Sequence, residues 1–421
     1  MAPKHPKLLR SGYIVKGKQF TLTYEVENGL SGDMRITFPF SIAREKDLHP
    51  YLAVACTLVV AGMVLPKDVE VDFSVPKLRT FESLLQHLYD IRCYSEGIPF
   101  QEARLRSCSA ETLTLSHLDW MHNKKHAVHF WSGGVDSTAS LLLLKQNGYS
   151  VTPVHTNINV NQSLSEKRTT MILEKELHVR ALDVSIEFPQ LAELGMTYSK
   201  KFNAFPDFNA IPFGRDMIHL FIGCYLARKK GAGAITFGHE HELWKNILHV
   251  HGRDILRNDA QTEVFSLKLQ TVLASIHPDL HLFSPIAPLS KYRIVRDLFE
   301  HHEKILLLAT YCYFGKRCGN CSNCLLYQML FGLLYGVHIS TQDFESMLKT
   351  GNVVEEETFK DIIYFFYYDL IQDQKRKPGY KQKLERKFGS LLNETRTQVE
   401  RRLMNIHPAQ LMPKGFQLNM R

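Results

Sequence analysis

The segment Ser132-Gly133-Gly134-Val135-Asp136-Ser137 carries the residue types that bind phosphate. It lies between an apolar run at 127–131, which predicts a strand, and a run at 138–145, which predicts a helix. A strand that turns through paired glycines into a helix N-terminus forms an anion cradle, because the backbone can approach the anion and helix N–H groups point at it. The two serine hydroxyls add donors, and Asp136 offers a carboxylate to Mg²⁺ against a pyrophosphate. The segment predicts a nucleotide-phosphate site; an ordinary Gly-Gly turn is the alternative.

Four cysteines form a second chemical group, and they crowd into thirteen residues as Cys312, Cys318, Cys321 and Cys324. Thiolates at two-residue gaps can close a tetrahedron around Zn²⁺. A closed shell of four sulfurs leaves no open position, so the predicted metal is structural. An iron–sulfur cluster accepts the same ligands, and four unligated cysteines are the third alternative.

The bulk composition predicts an ordinary globular protein. The chain has 421 residues, 44% hydrophobic and 22% charged, which predicts two or three domains. Its formal charge of +8 suits nucleotides, RNA or an acidic partner without choosing among them. The longest apolar stretch, residues 52–65, is too short to span a membrane, and the basic N-terminus lacks the apolar segment of a secretory signal. We therefore expect a cytoplasmic protein with a buried helix at 52–65.

Strand and helix patterns place these motifs on a parallel sheet. From residue 124 strands and helices alternate, which predicts right-handed βαβ units with the glycine loop at the carboxyl edge of the strands. Residues 1–122 predict a small α+β accessory domain with no chemical motif. The predicted domains are 1–122 (accessory), 123–310 (nucleotide-binding and catalytic), 311–335 (zinc knuckle) and 336–421 (helical C-terminal extension).

The glycine loop resembles the SGGxDS signature of the PP-loop ATP pyrophosphatases, which cleave ATP between the α- and β-phosphates. About 180 residues later comes a Thr-x-Cys-Tyr…Cys-Gly-x-Cys-x-x-Cys knuckle. The two motifs together resemble the 7-cyano-7-deazaguanine synthase (QueC) family over roughly residues 124–335. The resemblance implies an α/β fold of the PP-loop, adenine nucleotide alpha hydrolase-like type, with a parallel sheet and helices on both faces.

The same resemblance implies a reaction and its cofactors. Family members use ATP, Mg²⁺ and Zn²⁺; they adenylate the carboxylate of 7-carboxy-7-deazaguanine, displace AMP with ammonia and dehydrate the amide to a nitrile. Residues 211–216 look like the family's Val-Pro-Gly-Arg-Asn segment, which implies Arg215 as a clamp on carboxylate or phosphate. Lys291 is implied as a charge stabiliser, and Gly238, His239 and Asp259 as substrate contacts. A surface salt bridge is the alternative for Arg215 and Lys291.

The added N-terminal module and helical tail resemble the QatC branch of the family, found in bacterial anti-phage gene cassettes. That resemblance implies a protein partner from the same operon, whose N-terminus or lysine would replace ammonia as the acceptor. The segment at 257–261 departs from the family's substrate segment, so the acceptor amine and the product stay open.

Three other interpretations compete. A PP-loop tRNA-modifying enzyme would use Cys224 for thiolation, and the basic segment 375–387 leaves nucleic-acid binding open, although a solvated helix face is its default explanation. A nucleotide-binding scaffold without turnover is the second. The third is a further metal site among four neighbouring histidines, with hydrogen-bonded polar histidines as its alternative. Those histidines are His239, His241, His249 and His251.

Overall fold

A computed structural model describes residues 6–27, 29–107, 122–157, 160–190, 214–256, 259–311, 322–336, 359–375, 377 and 380–420. Within these residues the strands form one ten-stranded sheet and one two-stranded hairpin. The strands are β1 Leu8–Lys16, β2 Gln19–Val26, β3 Ser31–Thr37, β4 Asp68–Val71, β5 Arg104–Ser107, β6 Asn123–Phe130, β7 Ser150–Asn157, β8 Leu182–Glu187, β9 Ala232–Thr236, β10 Ile247–Val250, β11 Arg253–Leu256 and β12 His281–Phe283.

The described helices pack against this sheet and against one another. They are α1 His49–Val64, α2 Leu78–Glu96, α3 Val135–Gln146, α4 Val160–Leu177, α5 Arg215–Lys230, α6 His241–Trp244, α7 Glu263–Ile276, α8 Lys291–Leu308, α9 Ser322–Tyr335, α10 Lys360–Phe366, α11 Tyr368–Lys375, α12 Lys381–Phe388 and α13 Arg396–Met404.

The C-terminal part of the sheet is parallel, as the sequence predicts. Its strands lie in the order β12-β9-β6-β7-β8, so the chain runs outward from β6 through β7 to β8 and then returns to the other side of β6 to form β9. Ligands of such sheets bind beyond the carboxyl ends of the strands where the order reverses. The reversal lies between β6 and β9, which places the loop after β6 and the turn after β9 at one crevice.

The N-terminal strands extend the same sheet. β3 pairs antiparallel with β8 through Ile36 and Ile186, and the sheet continues through β2, β1, β4 and β5. The sheet therefore runs unbroken from the N-terminal module into the nucleotide-binding part, while the domain boundaries stay a prediction.

Helix α1 is the buried helix that the sequence predicts at 52–65. With the turn before it, it is long and apolar enough to cross a membrane over Lys46–Val64, but 89% of that stretch is buried inside the fold, as in a core helix. Its first residue, His49, lies 2.7 Å through Nδ1 from the hydroxyl of Tyr225 on α5. The helix thus joins the N-terminal strands to the nucleotide-binding part, and the cytoplasmic location stays a prediction.

Local pattern predicts most central elements but misplaces some. The strand expected at 179–184 is found at Leu182–Glu187, because His178 adopts a positive φ of 51° after α4 and the chain turns before it extends. The hairpin of β10 and β11 and helix α7 have no counterpart in the sequence prediction.

The C-terminal extension is helical as predicted and ends in a tail that returns to the sheet. The basic segment is divided into α11 and α12, and Leu384 and Phe388 of α12 are buried. In the tail, Phe416 packs against Tyr149 and Phe283. The extension therefore packs against the nucleotide-binding part of the fold.

Candidate active site

The predicted phosphate loop has the geometry that an anion cradle needs. β6 ends at Phe130 and α3 begins at Val135, so residues 131–134 make the turn. Gly133 has φ +73°, and a Cβ there would lie 3.2 Å from the backbone nitrogen of Thr170. Helix α3 has no side-chain cap at Gly134, which leaves its first N–H groups without an intrahelical or capping partner. The loop offers a helix N-terminus to an anion.

The hydroxyls of Ser132 and Ser137 lie within hydrogen-bonding distance of each other across this turn. Ser132 Oγ lies 3.3 Å from Ser137 Oγ and accepts from the backbone N–H of Gly134 at 3.3 Å. Ser137 Oγ lies 3.2 Å from the carbonyl oxygen of Gly134 and donates to it. The hydroxyls are thus at the loop as predicted, already oriented by short-range hydrogen bonds.

Thr310, which precedes the cysteines in sequence, is hydrogen-bonded to the same loop. Val135 donates its N–H to the carbonyl oxygen of Thr310 at 3.1 Å, and Thr310 donates to Gly133 O at 3.0 Å. One N–H of the cradle is therefore used by the protein itself. Those of Asp136 and Ser137, the next two helical residues, are the ones that helix geometry leaves for phosphate.

Lys291 is not a surface residue but a buried cation beside the loop. Its Nζ lies 2.5 Å from Asp136 Oδ2 and 2.8 Å from Glu240 Oε1, and its side chain is 6% exposed. Burial alone would lower the pKa of Lys291, but the two carboxylates outweigh it, and the pKa is raised well above its usual value. The surface salt-bridge alternative is wrong for Lys291, and a permanent positive charge sits at the first turn of α3.

A third carboxyl group, that of Glu242 on α6, lies beside Lys291, Asp136 and Glu240. The backbone N–H of Lys291 donates to both oxygens of Glu242, at 3.1 and 3.0 Å. Burial, with the neighbouring charge of Glu240, raises the pKa of Glu242 to about 8. Burial also raises the pKa of Glu240, and Lys291 partly offsets that rise. Sequence reasoning missed both glutamates as site residues.

Arg215 and Asp216 start helix α5 on the other side of the crevice. Arg215 Nε lies 3.3 Å from Asp216 Oδ1, and the arginine side chain is 27% exposed. Asp216 also meets His219 at 3.4 Å and His239 at 3.1 Å. Burial would raise the pKa of Asp216, but Arg215 and the histidines outweigh it, and the pKa lies well below its usual value. The structure thus connects Arg215 to His239 through a buried carboxylate that the sequence prediction did not include.

Gly238 and His239 lie where the sequence places them, at the end of β9. A Cβ on Gly238 would lie 2.7 Å from both the backbone nitrogen and the Cα of Ser137, so only glycine fits against the first turn of α3. The predicted contact Asp259 begins a short 3-10 turn, Asp259–Gln261, and its side chain lies outside the described residues. Gln261 of that turn donates to Asp216 Oδ2 at 3.2 Å.

Two of the other clustered histidines have protein partners, and His251 is exposed. His241 stacks on His407 with ring centroids 3.6 Å apart, and His249 Nδ1 lies 2.6 Å from Asp254 Oδ1. Among the described residues no group of three or more His, Cys, Asp or Glu side chains is arranged to hold a metal ion. The hydrogen-bonded alternative holds for His249, whereas His241 is stacked and its Nδ1 is buried without a hydrogen-bond partner among the described residues.

The predicted zinc knuckle is mostly outside the described residues. Cys312, Cys318 and Cys321 are not described, and Cys324 is buried in the first turn of α9. The zinc site stays a prediction. Cys224 lies fully buried in α5, where burial raises the pKa of its thiol, so it is a core residue and a poor nucleophile.

Similarity to known proteins covers this central part of the chain. Residues 126–333 match the family model described as Queuosine biosynthesis protein QueC. Proteins named 7-cyano-7-deazaguanine synthase are similar: that of Campylobacter hominis is 28% identical over 216 residues, and that of Campylobacter concisus 28% over 213. That of Nautilia profundicola is 27% identical over 217 residues. Each comparison covers 48% of this chain and 91% of the relative. Residues 126–333 are therefore QueC-like, and the match supports an ATP-using synthase.

Proposed function

We propose that this protein adenylates the carboxylate of a 7-deazaguanine derivative, with release of pyrophosphate, and transfers the acyl group to an amine. The observation that carries the proposal is the buried contact between Lys291 and Asp136, which fixes a cation at the open N-terminus of α3. Helix N–H groups and a lysine at one point are a site for the phosphates of a nucleotide. The QueC-like sequence supports the choice of substrate.

The proposed chemistry has two steps. A carboxylate oxygen of the substrate attacks the α-phosphorus of ATP, the bond to the β-phosphate breaks, and pyrophosphate leaves. The amine nitrogen then attacks the activated carbonyl carbon, and AMP leaves with the electron pair of the C–O bond. Lys291 and the N–H groups of α3 stabilise the charge that builds up on the phosphates. Arg215 keeps guanidinium donors for a carboxylate or phosphate, because Asp216 takes only its Nε–H in the described contacts.

Two carboxylate oxygens beside Lys291 are suited to binding Mg²⁺. Asp136 Oδ1 and Glu240 Oε2 are buried and have no hydrogen-bond partner among the described residues. Mg²⁺ is commonly held by one or two carboxylates together with substrate phosphates, so Asp136 and Glu240 would hold it here. When bound, the ion would neutralise phosphate charge.

The acceptor amine is the finer part of the proposal. A lysine or N-terminus of a partner protein, as the resemblance to the QatC branch implies, is the acceptor to test beside ammonia. Incubation with ATP, 7-carboxy-7-deazaguanine and proteins from the same operon should give a partner whose intact mass is increased by the acyl group. Free nitrile as the sole product would contradict transfer to protein, and the anti-phage role stays a prediction.

The central experiment measures pyrophosphate release from ATP with and without 7-carboxy-7-deazaguanine. We expect release that depends on the carboxylate and that falls by about 10²-fold or more in Asp136→Ala, because that change leaves Lys291 without its partner at the loop. Asp254→Ala, an exposed aspartate of the β11 strand, is the matched control and should keep wild-type release. ATP binding without turnover would contradict the proposal and favour a scaffold.

A further inference from the structure

Two histidines share the Asp216 carboxylate, and their ring nitrogens are used differently. His219 contacts Asp216 through Nδ1 and lies 2.9 Å from the hydroxyl of Thr156 through Nε2, so both of its nitrogens have partners. His239 contacts Asp216 Oδ2 through Nε2 at 3.1 Å. Its Nδ1 is buried and has no hydrogen-bond partner among the described residues.

The tautomer of His239 follows from its partner. An ionised carboxylate only accepts hydrogen bonds, so the neutral imidazole of His239 carries its proton on Nε2, and Nδ1 then presents a lone pair. A buried acceptor left unpaired costs about 1–3 kcal/mol, and a donor from a ligand would remove that cost. The site therefore matches a ligand that brings an N–H group.

The ring of His239 is held firmly. It lies parallel to Phe237, with ring centroids 5.1 Å apart and 9° between the planes. Its backbone N–H donates to Ser284 Oγ at 2.9 Å, and that hydroxyl donates back to His239 O at 2.8 Å. The imidazole is thus fixed by stacking and by its carboxylate, which is the usual arrangement of a positioned base.

Charged and titratable groups face His239 from two neighbouring elements, α5 and β6. From α5 it faces Asp216, with Arg215 and His219 behind that carboxylate. From β6 it faces His129, which is neutral because burial lowers its pKa to about 4 and whose nitrogens both have partners. Among the described residues, Asp216 is the one anion found in contact with the ring, and a carboxylate in that position stabilises the imidazolium that forms when the base accepts a proton.

His239 also lies at the phosphate loop. Gly238, the residue before it, packs on the backbone of Ser137, and Glu240, the residue after it, binds Lys291. An acyl adenylate whose phosphate occupies the N-terminus of α3 would have its carbonyl carbon in the crevice between β6 and β9. His239 is at the carboxyl end of β9, on that crevice.

We propose that His239 is the general base of the second step, accepting through Nδ1 the proton that the amine loses as it attacks the acyl adenylate. The inference rests on the function proposed above. The C–N bond forms, the C–O bond to AMP breaks with its electron pair on AMP, and the proton moves from nitrogen to Nδ1. Asp216 is a positioning residue, because it holds the Nε2–H tautomer and the charge of the product imidazolium.

The test separates the two steps. Carboxylate-dependent exchange of labelled pyrophosphate into ATP reports the first step, and single-turnover release of AMP with ammonia reports the second. His239→Gln can still donate to Asp216 but has no base. We expect ammonia-dependent AMP release slowed by about 10²-fold or more, and a much smaller effect on exchange. His249→Asn, which removes an exposed histidine nearby, is the control and should change neither rate.

The solvent isotope effect distinguishes a base from a structural residue. Wild-type AMP release in a single turnover should be slower in D₂O than in H₂O, a difference that pyrophosphate exchange lacks and that His239→Gln abolishes. An unchanged second step in His239→Gln overturns the inference and leaves the proposed function intact. If that variant fails to fold, wild-type AMP release at the same rate in D₂O and H₂O overturns the inference equally. Absence of carboxylate-dependent exchange in the wild type refutes the proposed function, and the inference falls with it.

Discussion

Replacing Lys291 with methionine tests whether the buried cation holds the phosphate loop together. The side chain is 6% exposed and neutralises Asp136 and Glu240 at 2.5 and 2.8 Å. Methionine keeps most of the volume and removes the charge, so two carboxylates that share one ammonium group would face each other. Of the two, Glu240 is the more deeply buried, at 1% exposure.

The magnitude follows from these distances. At an effective dielectric constant of about 20, charges 2.5 and 2.8 Å apart attract by roughly 6 kcal/mol each, most of which offsets the desolvation of the three groups. Removing one partner of a buried pair costs about 3–5 kcal/mol, because the remaining charge stays buried. A proton on Glu240 relieves that penalty, and burial already raises the pKa of Glu240. Lys291→Met should therefore lose more stability at about pH 8.5 than at about pH 6.

Urea unfolding of the full chain at these two pH values measures the effect. Lys304→Met is the matched control: it removes a lysine of the same helix whose side chain is 72% exposed and pairs with Glu176, and it should cost less than about 1 kcal/mol. Adding Glu240→Gln to Lys291→Met should restore about 2 kcal/mol or more at the higher pH. A loss below about 1 kcal/mol, or one equal at both pH values, would refute the buried-cation reasoning.

Three further predictions concern neighbouring residues. Because the pKa of Glu242 is raised to about 8 in the folded protein, its contribution to stability is complete below the ordinary carboxyl pKa and is lost as the pH rises from there through about 8. Glu242→Gln should thus flatten the pH dependence of Tm, with its largest gain over wild type above pH 8; a Tm difference that is constant with pH would contradict this. Gly238→Ala should lower the free energy of unfolding by about 1–3 kcal/mol, because the added Cβ meets backbone atoms of Ser137. It should also weaken ATP binding measured by calorimetry, and an affinity equal to that of the wild type would contradict the close packing. Cys224→Ala should leave pyrophosphate release unchanged, since the thiol is buried, whereas loss of release at an unchanged Tm would favour a thiolating enzyme.

Local signals were enough to predict the central fold. The paired glycines between a strand and a helix, and the alternation that follows, predict the loop and the parallel strands, and both are found. The pairing of β3 with β8 escaped prediction, because two strands about 150 residues apart carry no local signal of adjacency. The continuous sheet is a tertiary property.

The site, too, was predictable only where the sequence carries a local signal. Arg215, Lys291 and His239 were named from resemblance, and the structure brings Lys291 to Asp136 and connects Arg215 with His239 through Asp216. Glu240 was not named as a site residue, because its burial and its ion pair with Lys291, the first residue of α8, are tertiary contacts. The usable signal was the acidic residue two positions after the glycine that follows β9.

The C-terminal extension takes part in building this site although it lies beyond the QueC-like region. Ser290, the cap of α8, accepts from Arg293 N and donates to the carbonyl oxygen of Leu403. Arg293 donates to Met404 O at 2.7 Å. These contacts lie on both sides of Lys291 in sequence, so the end of α13 holds the first turn of α8 and with it the position of Lys291. Changes in the extension should therefore act on phosphate chemistry through the position of Lys291.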